Sequence, residues 1–406
     1  MRYAKANNHK VPDYNDTKPK SWLIYQDCNN LYGWAMAECM PSGGFKWVEA
    51  KLDGINDLDD NSPIGRMYEV DVAYPVELHD QHNDLPFLPQ NGIPEGSKFN
   101  QSPWLPEFIN LNTEMRKKAL NDFEKDFFKL MNNSIFDKTM EQVRRRIQME
   151  LVSNEDRVQK LINMTTFKYA TSYNENLSGL AVLDISKTLM YDYHYVMKAH
   201  YGDKIELMYT DTDSLLYYIH TDDFYEDLAK NANLLNRMDT SNLPRDNPCY
   251  IAERKKIPGL FLDETDGRVM TEFCALRAKS YAYKIQGVDD IKVQIRAKGV
   301  RGHVVKHHMT FEGHRRCLFE GMDPVINNRQ LNMCIRSFKH QLTTVQTNKI
   351  IYNNYDDKRV VLQDKVHTLA HGHYSLKKDD WPELYEEGNW NEEEKGLMRD
   401  LLHFIT

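Results

Sequence analysis

The chain has 406 residues, 41% of them hydrophobic and 28% charged, with a formal net charge of −8. That length allows two or three domains or one large lobed enzyme. No apolar run approaches the roughly 18 residues of a membrane span, and the opening MRYAKANNHK has no apolar signal core, which reads as a soluble, intracellular protein that is not secreted and has no membrane partner. Six cysteines without a CxxC pair argue against a disulfide framework and a cysteine zinc site. The net charge argues against simple coating of nucleic acid, yet it hides an asymmetry. Residues 116–146 hold nine Lys/Arg against five Asp/Glu, and 277–316 hold ten against three.

In chain order, SWLIYQD (21–27) is a short apolar run ending on an aspartate and predicts a strand with Asp27 at its tip. Residues 41–106 are rich in Pro, Gly, Asn and Asp, and predict loops, short strands or an inserted subdomain. From 106 to about 146 apolar residues recur at three- and four-residue intervals, which predicts two helices meeting near Asn112. Residues 180–202, LAVLDISKTLMYDYHYVMKAHYG, predict a further amphipathic helix closed by Gly202. KIELMYTDTDSLLYYIH (204–220) predicts two strands joined by a tight acidic turn. Residues 268–297 suggest more strands, and from Val300 the chain reads as mostly helical up to an acidic tail. No internal repeat is visible.

The acidic turn carries the chemistry. Asp211 and Asp213 stand two apart between apolar runs, and hard oxygen ligands on a short turn suit Mg²⁺, which keeps positions open for water and substrate phosphates. An EF-hand loop fails, because Leu216 stands where its glycine belongs and Asp222 where its glutamate belongs. A phosphatase of the haloacid-dehalogenase type and a DxD glycosyltransferase share the local pattern, and the hexapeptide alone does not separate them.

Four stretches in order do. DCNNLYG (27–33), KLMNNSIFDK (129–138), YTDTDS (209–214) and LRAKSY (276–281) resemble motifs A, B and C and the KxY motif of family B DNA polymerases. The likeness is greatest to the protein-primed branch of Polinton or Maverick mobile elements and related viruses, and covers about residues 1 to 375. It implies an α+β right-hand polymerase core with a palm built on an antiparallel sheet, helical fingers and a thumb. The implied layout is palm with motif A at 1–50, a loop-rich inserted subdomain at 51–106, and fingers at 107–146. A shortened second insertion follows at 147–178, then palm with motif C and KxY at 179–285, thumb at 286–375, and the acidic tail at 376–406.

The resemblance also assigns roles. Asp27 and Asp213 are the expected bridging ligands of two Mg²⁺ ions, with Mn²⁺ as the substitute, the backbone carbonyl of Cys28 completes one shell, and Asp211 supports the site. Lys125 and Lys129, one helical turn apart, are expected to meet the triphosphate, with Lys118 near the same stripe. Asn133 and Phe136 continue that stripe toward the nascent base pair, and Tyr32 stands at the position of the sugar-discriminating tyrosine. Lys279 and Tyr281, on one face if 276–281 is a strand, would grip primer phosphates, and Arg277, Arg296, Lys298 and Arg301 would contact the duplex backbone. The implied partners are primer–template DNA, deoxynucleoside triphosphates and a terminal protein primer. The implied compartment is the nucleus for an element integrated in a eukaryote.

Three departures stand out. Only 26 residues precede Asp27, so the exonuclease domain of the family is expected to be absent. Asn30 and Gly33 replace Ser and Pro of many relatives, and Asp137 replaces the glycine of NSxYG. With the short 147–178 segment, Asp137 supports an alternative reading, an impaired remnant that binds primer–template without synthesis. The histidine groups HVVKHH (303–308) and HTLAHGH (367–373) carry no metal in this reading.

Overall fold

The strand expected at the first motif forms the spine of the molecule. The structure, a computed structural model, describes residues 1–47, 57–67, 74–87, 97–139, 177–287, 290–321, 329–338 and 341–376. The expected insertion at 147–178, apart from its last two residues, and the acidic tail, apart from its first, lie outside the described residues.

Strand β1 (Tyr3–Lys5) precedes β2 (Trp22–Cys28), and β2 is followed at once by helix α1 (Leu31–Ala37). Strands β3 (Met40–Trp47), β4 (Ile64–Met67) and β5 (Ser97–Ser102) form a separate antiparallel sheet in the order β3-β5-β4, with the short helix α2 (Glu77–Gln81) between β4 and β5 in the chain. Helices α3 (Pro106–Lys118) and α4 (Asp122–Thr139) then pack on each other. They part at residues 119–121 and not at Asn112, which is buried within α3. Asn121 supplies the stop signal: its Oδ1 accepts from the Glu124 N–H at 2.9 Å while Glu124 accepts from the Leu120 N–H at 2.9 Å, a reciprocal cap.

Helix α5 (Leu177–Tyr201) runs into Gly202 at φ +59, the terminator expected from the sequence. The hairpin β6 (Ile205–Asp211) and β7 (Ser214–Ile219) follows, then α6 (Phe224–Lys230), α7 (Ala232–Leu235), β8 (Met238–Asp239), β9 (Phe261–Asp263), β10 (Met270–Arg277), β11 (Ser280–Gln286) and β12 (Ile291–Ala297). The main sheet runs β12-β11-β10-β2-β7-β6, with β1 on β10 and β9 between β2 and β8. All its described pairs are antiparallel except β8 with β9. The sheet extends past the 285/286 division to β12.

Beyond it come α8 (Gly302–His308), α9 (Phe311–Glu320), the long hairpin β13 (Arg329–Phe338) and β14 (Gln341–Ile350), and the short pair β15 (Val360–Val361) and β16 (Thr368–Leu369). The expectation of a mostly helical segment from Val300 is therefore wrong past residue 321. QLTTVQTNKI is rich in β-branched residues, and RQLNMCIRSF sets Leu331, Met333 and Ile335 at alternate positions, both of which fit a pleated strand better than a helix.

Strand β2 is buried along nearly its whole length because both faces of the sheet are covered. Trp22, Ile24 and Cys28 enter one core with Leu215, Tyr217 and Ile219 of β7, while Leu23 and Tyr25 enter a second core with Leu216, Phe273 and Tyr281. The first core is roofed by the Met190, Tyr193, Met197 and Tyr201 stripe of α5, and Tyr193 stacks on Phe261 with ring centroids 3.7 Å apart. Burying both alternating sets fixes the register, since a one-residue slip would exchange the faces and carry Asp27 away from its neighbours.

The turn before β9 is fastened to the residue after Cys28. Asn29 N–H donates to Leu260 O at 2.9 Å, and Gly259 N–H donates to Asn29 O at 2.8 Å. Gly259 has φ +82, and a Cβ there would lie 2.6 Å from the Trp34 ring. Gly259→Ala is expected to cost about 1–3 kcal/mol of stability, read as a lowered midpoint in denaturant unfolding.

Candidate functional site

Two chain segments distant in sequence meet at one edge of a cleft. Asp27 pairs with Ser214 of β7 on one side and Leu262 of β9 on the other, and the Cys28 N–H donates to the Asp213 carbonyl at 2.7 Å. Asp213 lies in a two-residue turn between Asp211 and Ser214, made possible by Thr212 at φ +63 and closed by its own N–H on Asp211 O at 2.8 Å. Both carboxylates line a cleft of about 520 Å³ together with Glu264, which follows β9. Neither Asp27 nor Asp213 has an ion-pair partner among the described residues, and the Asp213 carboxylate is met by its own backbone N–H.

The electrostatics follow from that placement. Burial, then the Asp213 and Glu264 charges, push the Asp27 carboxyl up to about 8, against the pull of Lys129. Asp213 and Glu264 are also raised, each mainly by burial. A divalent cation would relieve this repulsion, so Asp27 and Asp213 fit a shared ion. No group of three His, Cys, Asp or Glu among the described residues is arranged to hold a metal unaided. Such an ion would need the Cys28 carbonyl, water or substrate oxygen as well.

Asp211 is excluded from this wall. Lys279 Nζ donates to its two oxygens at 2.5 and 2.7 Å, and the Tyr209 hydroxyl is 3.4 Å away. Lys279 itself sits in the turn between β10 and β11 at φ +60, its N–H on the Tyr209 hydroxyl at 3.1 Å. The expected alternation of Lys279 and Tyr281 along one strand face therefore fails. Tyr281 lies on β11, buried, with its hydroxyl 2.9 Å from that of Tyr25. Arg277, Arg296 and Lys298 collect at the same end of β10, β11 and β12, where the Lys298 N–H donates to Lys279 O at 3.0 Å. Arg301 instead donates to Met333 O at 2.7 Å.

Across the cleft α4 presents Lys129 and Asn133, and one turn further Phe136 stacks on Tyr32 of α1 with centroids 4.2 Å apart. Lys125 does not join them: its amine pairs with Asp122 at 2.9 Å on the exposed side of the helix. Lys118, the exposed last residue of α3, also lies off the cleft. The side chain of Asp137 lies outside the described residues, but its backbone is within α4.

Several lining residues escaped the sequence reading: Arg116, Asp239, Lys255, Lys256 and Glu264. Only the run ERKK (253–256) could have drawn attention, and nothing local ties it to Asp27. The Asn30 and Gly33 departure, by contrast, is one structural unit. Asn30 enters α1 at φ +46, a conformation asparagine tolerates, and a Cβ on residue 33 would fall 2.0 Å from its amide nitrogen.

Three solved structures are similar to the chain. Phi29 DNA polymerase complexed with primer-template DNA and incoming nucleotide matches at 16% identity and TM-score 0.45, covering 86% of this chain and 61% of that one. Its binary complex with primer-template DNA matches at 17% and 0.46, covering 83% and 59%. The family B DNA polymerase of the hyperthermophilic archaeon Pyrobaculum calidifontis matches at 14% and 0.32, covering 91% and 44%. The chain thus spans about three fifths of the length of the phi29 polymerase chains. No protein-family model and no curated protein matches the sequence.

The Asp27 shift sets a pH dependence. A carboxyl whose folded value is raised keeps its proton in the fold at pH values where the unfolded chain has lost it. Its stabilising share is full below about pH 4 and is lost as pH rises through about 8. In metal-free buffer, Asp27→Asn is expected to raise stability at pH 8.5 by about 1–3 kcal/mol and to do little at pH 4. Mg²⁺ at pH 8.5 should raise the melting temperature of the wild type and not of the variant, as thermal unfolding at the two pH values would show.

Proposed function

We propose that the cleft is the active site of a template-directed DNA polymerase core, which adds deoxynucleotides to a primer 3′ end. One observation carries the reading: half-buried carboxylates Asp27 and Asp213, from a strand end and a turn far apart in sequence, face the cations Arg116, Lys129, Lys255 and Lys256, which have no ion-pair partner among the described residues, across one cleft. That charge pattern suits a polyphosphate bound with divalent metal, as nucleotidyl transfer requires. Two Mg²⁺ ions on Asp27, Asp213 and the Cys28 carbonyl would lower the pKa of the primer hydroxyl and neutralise the triphosphate.

The chain's own groups do the rest. Lys129 and Asn133 hold the nucleotide from α4, with Lys129 drawing negative charge toward the Asp27 wall. The Tyr32 ring, braced by Phe136, closes the sugar side of the site. Lys279 neutralises Asp211, so the acidic turn offers one free carboxylate and not two. The primer 3′ oxygen gives its proton to water and bonds to the α-phosphorus, the α–β anhydride breaks, and pyrophosphate leaves. In this reading the main sheet is the palm, α3 and α4 are the fingers, and the elements from α8 onward are the thumb. Arg277, Arg296 and Lys298 form a basic edge for the primer–template backbone. A protein primer and a mobile-element origin belong to the same proposal.

The impaired-remnant reading rested partly on glycine's conformational freedom at position 137. Since residue 137 continues the helix of α4, no left-handed backbone is needed there. Synthesis is accordingly the preferred reading. The wild type should extend a primed template with Mg²⁺, and Asp213→Ala should reduce the rate roughly a thousandfold. Primer extension on a labelled oligonucleotide checks this; undiminished extension by the variant contradicts it.

A further inference from the structure

Lys256 comes from a segment that none of the motifs touches, yet its position is firmly built. It sits between β8 and β9 at φ +57, a left-handed conformation costing a non-glycine residue about 1 kcal/mol or more. Its N–H donates to Asp239 Oδ2 at 2.7 Å, and the same oxygen accepts from Asn29 Nδ2 at 2.7 Å. The other oxygen of Asp239 accepts from the Ser241 hydroxyl at 2.7 Å. Asp239 is buried, at 1% exposure, so a single carboxylate locks the Lys256 backbone to the residue two after Asp27.

Beside the cleft lies a recess lined by Arg116, Lys129, Asn132 and Lys256, with Thr113, Asn29 and Asn30 completing it. No carboxylate lines it. Asn132 is 4% exposed and its Oδ1 has no hydrogen-bond partner, and the Nε of Arg116 is likewise buried and unpartnered. Burial, with Arg116 and Lys255 close by, holds the Lys256 amine below the usual lysine range. The recess itself, about 20 Å³, has room for roughly one water, but Arg116, Lys129 and Lys256 also line the adjoining cleft of about 520 Å³, where three cations suit a compact anion with several charges.

We propose that Lys256, with Arg116 and Asn132, binds the terminal diphosphate of the incoming nucleotide and the pyrophosphate it becomes, and that Asp239 positions Lys256. This rests on the reading that the cleft takes a triphosphate. The nucleotide is thereby held from both walls: its metal-bound side by Asp27 and Asp213, its far end by a residue tied through Asp239 to the same strand end.

The test is calorimetric titration of the full chain with inorganic pyrophosphate and Mg²⁺, beside primer extension. Lys256→Met should weaken pyrophosphate binding about 10- to 100-fold, and Lys256→Arg should restore most of it. Because the Lys256 amine has no ion-pair partner among the described residues and its backbone bond to Asp239 is kept, all three proteins should melt alike. dATP should displace pyrophosphate, whereas primer–template duplex should not. Lys256-dependent pyrophosphate binding without primer extension would uphold the recess while removing the synthetic activity. Unchanged binding in Lys256→Met, displacement by duplex and not by dATP, or no pyrophosphate binding by the wild type at millimolar concentration would overturn the recess.

Discussion

A repulsion organises this molecule. The Cys28 N–H to Asp213 carbonyl bond at 2.7 Å ties the end of β2 to the acidic turn, and the pairing of Asp27 with Ser214 sets both carboxylates on one cleft wall. Desolvation is the larger cause of the Asp27 shift, since β2 is packed on both faces, and the repulsion adds to it. The cost shows in Asp27, whose carboxyl is driven to about 8. A fold keeps such a pair only if packing elsewhere holds it, and the double core around β2 does so.

The opposite wall mirrors this. Lys129 of α4, Arg116 of α3 and the 255–256 pair have no ion-pair partners among the described residues, while Lys117 and Lys125 on the outer faces do. Opposed unpaired charges of both signs in one cleft are stable apart only while water fills it. A ligand that brings both a cation and an anion relieves both walls at once, which is why a metal–polyphosphate explains the cleft better than either component alone. The Lys279–Asp211 pair sharpens the contrast, for it neutralises one acidic neighbour of the Asp27 and Asp213 pair.

Much of the framework was legible in the sequence because burial imposes periodicity. The apolar run before Asp27, the hairpin around TDTD and the helix ending at Gly202 all lie where the pattern puts them. The break between α3 and α4 lies past the expected meeting point near Asn112 because Asn112 is a buried side chain within α3, while the cap is Asn121 with Glu124. The β13–β14 hairpin was read as helix because its polar alternation carries little apolar signal. At the site, Lys129, Asn133 and Tyr32 were legible from motifs, but Arg116, Asp239, Lys256 and Glu264 were not. Those positions depend on the 255–260 turn folding back onto Asn29, a long-range hydrogen-bond pattern with no local signature. Lys279 shows the reverse failure, a motif residue whose turn conformation redirects it from the expected strand face to Asp211.

The Asp27–Asp213 pair is proposed as a divalent-cation site completed by nucleotide. Its most direct test is a Mn²⁺ titration of the wild type followed by electron paramagnetic resonance, with and without dATP. Saturable Mn²⁺ binding that tightens with dATP, and is lost in Asp27→Asn, is the predicted result. Binding that is equal in wild type and variant, or indifferent to dATP, would contradict it.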